Sequence, residues 1–210
     1  MTQGFDTGPD CSAHAAAIKA QGYGFVGRYY FSVISHHKKK LTRSEAEALS
    51  GAGLYVVAVF ENSSNSAGYF THAQGLSDGK AAFRYAADQI VQPFGSPIYF
   101  AVDYDASTAN LSGGIGSYFR GIAEAFTAES QGGDTYQIGV YGSGLTCSTL
   151  AHSGAVTYTW LAQSTGWSGH DTYTTWNLKQ GDSQTLFGIS IDPDRSQGNG
   201  GGFQVALTGA

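Results

Sequence analysis

Ile98-Tyr-Phe-Ala-Val-Asp-Tyr-Asp105 is an apolar run that stops abruptly at two acids spaced i, i+2. Side chains two apart on a strand share a face, so a strand running this far would turn Asp103 and Asp105 into one pocket. The pattern recurs. Gly4-Phe-Asp6, Leu54-Tyr-Val-Val-Ala-Val-Phe-Glu61 and Phe187-Gly-Ile-Ser-Ile-Asp192 are each short apolar runs closing on an acid. Four such endings, far apart in sequence, point to one acidic site assembled from several strand ends.

Working outward, strand-like segments fall near residues 3–6, 24–30, 54–61, 97–103, 136–142, 157–163, 176–180 and 187–192. Helical patterns sit between the early ones: 12–21, 42–52, where Thr42-Arg-Ser-Glu45 reads as a capping box, 75–92, 111–130 and a weaker one after Ser143. Alternating β and α units imply right-handed crossovers and a parallel sheet, and eight strands suit a closed barrel. Beyond Leu150 the helical signals fade into segments rich in Gly, Ser and Thr. The expected fold is therefore α/β, a (β/α)8 TIM-barrel-like domain over residues 1–210 with its last helices reduced or missing. An open doubly wound sheet is the alternative, but it lacks a glycine-rich dinucleotide fingerprint.

In such a barrel the C-terminal strand ends form the functional face, so Asp6, Glu61, Asp103 and Asp192 would meet at one rim. Crowded carboxylates repel, which raises the pKa of one while a neighbour stays ionised. That asymmetry suits glycoside hydrolysis, which needs a protonated acid beside an ionised carboxylate. Arg28 could hold one acid ionised or form a structural ion pair. Tyr30, Phe60, Tyr104, Tyr141, Trp160 and Trp176 lie near strand ends, where rings stack on sugars or simply fill the core. Other chemistries find no footing: Tyr141-Gly-Ser-Gly-Leu145 is not a nucleophile elbow, and the six histidines show no zinc-ligand spacing. No metal or organic cofactor is expected.

Charged residues make up 13% of the chain, against roughly a quarter in an average soluble protein. The net charge of −5 argues against nucleic acid, since no basic run exceeds His36-His-Lys-Lys-Lys40, which reads as a solvated loop. No apolar run is long enough to span a membrane, and Met1-Thr-Gln-Gly-Phe-Asp6 carries no signal-peptide pattern. Cys11 and Cys147 could form a single bridge or stay as two buried thiols.

Gly4-Phe-Asp-Thr7, Gly22-Tyr-Gly-Phe-Val-Gly-Arg-Tyr-Tyr30, Leu41-Thr-Arg-Ser-Glu-Ala-Glu-Ala-Leu49, Ile98 to Asp105, Ile138-Gly-Val-Tyr-Gly-Ser143 and Trp160-Leu-Ala-Gln163 fall in order along the chain. Together they resemble the bacterial glycoside-hydrolase-like domain family of Rv2525c type, itself similar to the family 25 glycoside hydrolases, the lysozyme-like muramidases. The resemblance implies a flattened β/α barrel acting on a peptidoglycan-like amino-sugar glycan; a monomer and action outside the cytoplasm are separate expectations, the compartment itself being left open. It assigns Asp6 to the acid of the first strand, Asp103 and Asp105 to an Asp-x-Glu pair, and Asp192 to the acid of the last strand; Trp176 and Gln180 also have counterparts. Asp105 stands where the muramidases place the proton-donating Glu, and one methylene less leaves its carboxyl ~1–1.5 Å short, with Glu61 as the substitute donor. Three readings stay open: a glycan hydrolase, a non-catalytic glycan-binding module on the same scaffold, and a component of a phage or secretion apparatus.

Overall fold

The computed structural model describes residues 1–31, 40–198 and 200–207. Seven strands run parallel and pair in sequence order: β1 (Thr2–Asp6), β2 (Phe25–Tyr30), β3 (Tyr55–Phe60), β4 (Pro97–Ala101), β5 (Gln137–Gly142), β6 (Tyr158–Leu161) and β7 (Leu178–Gln180). The short β8 (Gln184–Leu186) folds back on β9 (Ile189–Ser196), and β9 lies antiparallel between β7 and β1. That pairing closes an eight-stranded barrel with β8 outside it.

Between the early strands lie α1 (Ala15–Ala20), α2 (Arg43–Gly51), α3 (His72–Arg84), α4 (Thr108–Asn110), α5 (Gly116–Ser130) and α6 (Gly144–His152). Among the described residues no helix follows β6, which is the barrel with missing last helices that the fading periodicity implies. One expectation is corrected. The run ending at Asp192 was read as a parallel strand finishing on its acid, whereas β9 begins at Ile189, continues past Asp192 to Ser196 and runs the other way.

Local chemistry explains the helix starts. Thr42, Thr71, Ser107 and Ser143 each sit in extended backbone and accept the N–H three residues on, satisfying one of the free donors of the first turn. The capping box at Thr42 is only half made, because the Glu45 side chain is engaged with Arg28 and with the Cys11 N–H instead. The expected helix over 75–92 is α3 followed by a π-helical stretch, Tyr85–Ile90, and the one over 111–130 begins with another, Leu111–Ile115.

Strand parity separates two interiors. Val26, Val56, Ala58, Phe60, Ile98, Phe100 and Val140 point outward and pack under the helices as a large dry shell. Phe25, Val57, Val59, Tyr99, Ala101, Trp160 and Leu178 point inward and fill the barrel. Three glycines make room for the inward rings: a Cβ on Gly4 would meet Phe25 at 2.5 Å, on Gly139 Tyr99 at 2.7 Å, and on Gly27 both Asp6 Cβ at 2.7 Å and Trp160 at 2.8 Å. Cys11 and Cys147 are both free and buried, so the single bridge is not formed; burial pushes each thiol up to about 12. His36–Lys39 lie outside the described residues, and Lys40 sits over the Tyr85 ring, 3.5 Å from its centroid.

Candidate active site

Inward parity continues past the strand ends. Asp6 closes β1, Glu61 follows β3, Asp103 lies two residues beyond β4, and Asp192 is paired with Asp6 across the β1–β9 seam. Because β9 is antiparallel, its early residues reach the same rim as the late residues of β1 to β7. All four acids line one cleft of about 210 Å³, whose walls also include Tyr29, Tyr141, Trp160, Gln163 and Gln180. Asp6, Glu61, Tyr29 and Asp192 also line an adjoining hollow of about 390 Å³ with Thr7, Pro9 and Ser190. The acids thus stand where two hollows meet.

Asp6 is the most constrained of them. It is 1% exposed; Oδ1 accepts from Tyr29 Oη at 2.7 Å and Oδ2 from Gln180 Nε2 at 2.8 Å. Gln180 Oε1 accepts from Tyr141 Oη at 2.9 Å, so one hydrogen-bonded chain links β1, β2, β5 and β7. Burial drives the Asp6 carboxyl from 3.8 up to about 7; the hydrogen bonds from Tyr29 and Gln180 oppose the rise and the nearby Asp192 charge adds to it. Burial also raises Asp103, whose backbone N–H is fixed on Ser64 O at 2.8 Å. Tyr29 and Tyr141 are held as neutral phenols, first by burial and then by the acids around them, so they remain donors. Ser183 Oγ donates to Asp192 Oδ1.

Other expected site residues lie elsewhere. Asp105 is not in the cleft: β4 ends at Ala101, the alternation lapses, and the Asp105 carboxylate accepts from Ser168 N at 2.9 Å and Ser168 Oγ at 3.0 Å. It anchors the helix-free connection between β6 and β7. Arg28 has outward parity and is fully buried, donating to both Glu45 oxygens at 2.8 and 3.0 Å and to the Thr7 and Gly8 carbonyls. It is the structural ion pair, not a partner of the cleft acids. Tyr30 also points out and donates to Gln92 Oε1 at 2.8 Å. Tyr104 packs on Phe70, its hydroxyl buried without a partner. Trp176 lines a separate outer groove with Lys179 and Arg195.

Sequence reasoning gave Tyr29 and Gln163 no role in the site and read Asp194 as an ordinary turn or cap residue. Tyr29 was the wrong neighbour of Tyr30 to overlook, and only its parity with Gly27 and Phe25 reveals it. Asp194 is 1% exposed, and its Oδ1 accepts from Trp160 Nε1 at 2.8 Å.

Carboxylates thus gather at the strand-end rim of a closed β/α barrel, beside aromatic rings and amide donors. The chain belongs to the Rv2525c-like, glycoside hydrolase-like domain family, whose model matches residues 16–199. It is 34% identical over 161 residues to the Uncharacterized protein FadG of Bacillus subtilis, covering 76% of this chain and 27% of that protein. To YbfG of the same organism it is 32% identical over 202 residues, 90% of this chain and 28% of the other. The chain therefore spans less than a third of these curated relatives. Among solved structures it is similar in fold to the Tat-secreted Rv2525c of Mycobacterium tuberculosis (TM-score 0.79, 22% identity, 96% of this chain and 98% of that one). It is also similar to a muramidase from Trichobolus zukalii (TM-score 0.53, 14% identity, 94% of each chain). Among the described residues no helix is long and apolar enough to cross a membrane, and among them no group of three or more His, Cys, Asp or Glu is placed to hold a metal ion.

Proposed function

We propose that this domain cleaves a peptidoglycan-like amino-sugar glycan by carboxylate acid–base chemistry, acting outside the cytoplasm. The observation that carries the reading is the convergence of Asp6, Glu61, Asp103 and Asp192 from four strands on one cleft lined by Tyr29, Tyr141 and Trp160. Likeness to a muramidase and to a Tat-secreted protein supports the substrate class and the place of action. Asp103 is the proton donor in this reading: burial raises it above an ordinary Asp, while both oxygens of Asp6 are already engaged by Tyr29 and Gln180. Glu61 lines the same cleft and has the longer reach. Asp6, titrating near neutrality, is the base or electrostatic partner, and Gln163 and Gln180 offer amide groups to sugar hydroxyls or acetamido groups. Asp105 serves the fold.

The alternative, a glycan-binding module without catalysis, is favoured by one observation: the position expected to donate the proton is spent on Ser168. Incubation with purified cell walls separates the two. Falling turbidity with soluble muropeptides in the mass spectrum is the expected outcome; binding of intact walls with no soluble fragments establishes the module.

A further inference from the structure

Asp194 is a buried acid that the reading above does not use. Its neighbours on β9 alternate, so Asp192 faces the open rim opposite Asp6 while Asp194 lies one layer deeper, opposite Gly4. Asp6 and Asp194 both have inward parity, so the Asp194 carboxyl shares the barrel interior with that of Asp6. One oxygen takes the indole N–H of Trp160; the other, Oδ2, is buried and has no donor directed at it. An ionised carboxylate with an unsatisfied oxygen in a dry interior is strongly disfavoured, whereas a protonated one needs only an acceptor. The carboxyl of Asp6, which shares the inward face across the β1–β9 seam and interacts electrostatically with Asp194, would supply that acceptor.

We propose that Asp194 is a positioning residue for Asp6: the two carboxyls share one proton, Asp194 keeps it, and Asp6 is the member that exchanges charge with the cleft. Asp194 thereby does two things at once. It fixes the Trp160 ring at the cleft wall and presents Asp6 with a neutral donor in place of a second negative charge. The groups facing the pair are Tyr29 on β2, Tyr99 on β4, Tyr141 on β5, Trp160 on β6, Gln180 on β7 and Asp192 on β9. Glu61 and Asp103 add two further acids to the cleft and, among the described residues, no Lys, Arg or His lines it to stabilise a second anion beside Asp6, while Lys179 and Arg195 lie on the outer groove that Asp194 also borders. Burial raises both members of the pair.

The inference rests on Asp6 being a cleft carboxylate, but its test needs no glycan. Carbon-13 titration of the Asp carboxyls in the free protein should show Asp194 still protonated at pH 8 while Asp6 passes through its midpoint near neutrality. In Asp194→Asn, where an amide still donates to Asp6 and still accepts from Trp160, the Asp6 midpoint should stay within half a unit and the Trp160 indole N–H resonance should persist. An Asp194 resonance that titrates in the ordinary Asp range overturns the proposal. So does a fall of one unit or more in the Asp6 midpoint of Asp194→Asn, a tenfold change in proton affinity, because it would mean a negative charge had been removed. If Asp194→Asn does not fold, the wild-type titration decides alone. Absence of wall cleavage would sink the hydrolase reading and leave this result standing.

Discussion

The helix-clad strands β1 to β6 and the bare seam of β7, β8 and β9 build one barrel by opposite means. In the clad part each strand is covered on both faces, so its sequence is nearly continuously apolar and its acids fall at the C-terminal ends, as a parallel barrel requires. In the seam β7 and β8 are short, Lys179 and Arg195 line an outer groove, and the long β9 runs backward. Yet the seam contributes Asp192, Asp194 and Gln180 to the same interior. The lesson is that a rim position depends on strand direction as well as on strand end: in an antiparallel strand the acid at its start is the one that reaches the cleft.

The largest effect should come from the acids. Asp103→Asn and Asp6→Asn should each lower release of reducing ends from cell walls by about 10²–10⁴-fold, the usual worth of a placed acid or base, whereas Asp105→Asn should stay within a few fold. A greater loss in Asp105→Asn would return the donor role to the residue that sequence alone favours.

Stability should divide the two regions next. Arg28→Leu leaves the Glu45 carboxylate uncompensated in the clad shell and should cost about 3–5 kcal/mol in denaturant unfolding. Arg195→Leu, on the exposed face of the seam, should change stability by less than about 0.5 kcal/mol. Comparable losses from the two would mean that the seam is packed as tightly as the shell.

A pH effect follows from the burial of Asp6. Its folded carboxyl titrates near 7 and its unfolded one near 3.8, so between these values the native state binds more protons. Stability then falls as pH rises through that window, by an amount on the order of 4 kcal/mol, and is flat for this group beyond it. Asp6→Asn should remove most of the slope and melt higher than the wild type at pH 8; an equal slope in both proteins would place the titration elsewhere.

The smallest effect belongs to the loop anchor. Asp105→Ala should cost about 1 kcal/mol and hasten proteolytic cleavage between β6 and β7, since two exposed hydrogen bonds to Ser168 are lost. Unchanged proteolysis would deny the carboxylate any hold on the seam.

Much of this was legible in the sequence for a physical reason: a period-2 apolar run ending on an acid is a strong local signal, and Asp6, Glu61, Asp103 and Asp192 all carry it. Parity was not legible. A strand buried on both faces gives no polar alternation, so Arg28 and Tyr30 could not be told from Gly27 and Tyr29, and a slip of one residue exchanges the shell for the cleft. The end of β4 was equally silent, because Val102 continues the apolar run after the strand has stopped, and Asp105 was carried into the pocket by a rule that no longer applied. Nor does a short apolar run state its direction, which hid Asp194.

The closure of the barrel has a temporal consequence. Ser196 Oγ donates to Thr2 O across 194 residues of chain, and Gln180 reaches Asp6 across 174. Loop-closure entropy grows only slowly with such distances, so the final state is little penalised, but contacts this remote form late. During synthesis β1 therefore waits with one edge unpaired until the last strand emerges, and Asp6 has neither Gln180 nor Asp194 beside it. A nascent chain halted before β9 would present open edges at β1 and β7, which are templates for pairing with other chains. The cleft is thus complete only once β9 has paired with β1, and any chemistry it performs is withheld until the barrel has shut.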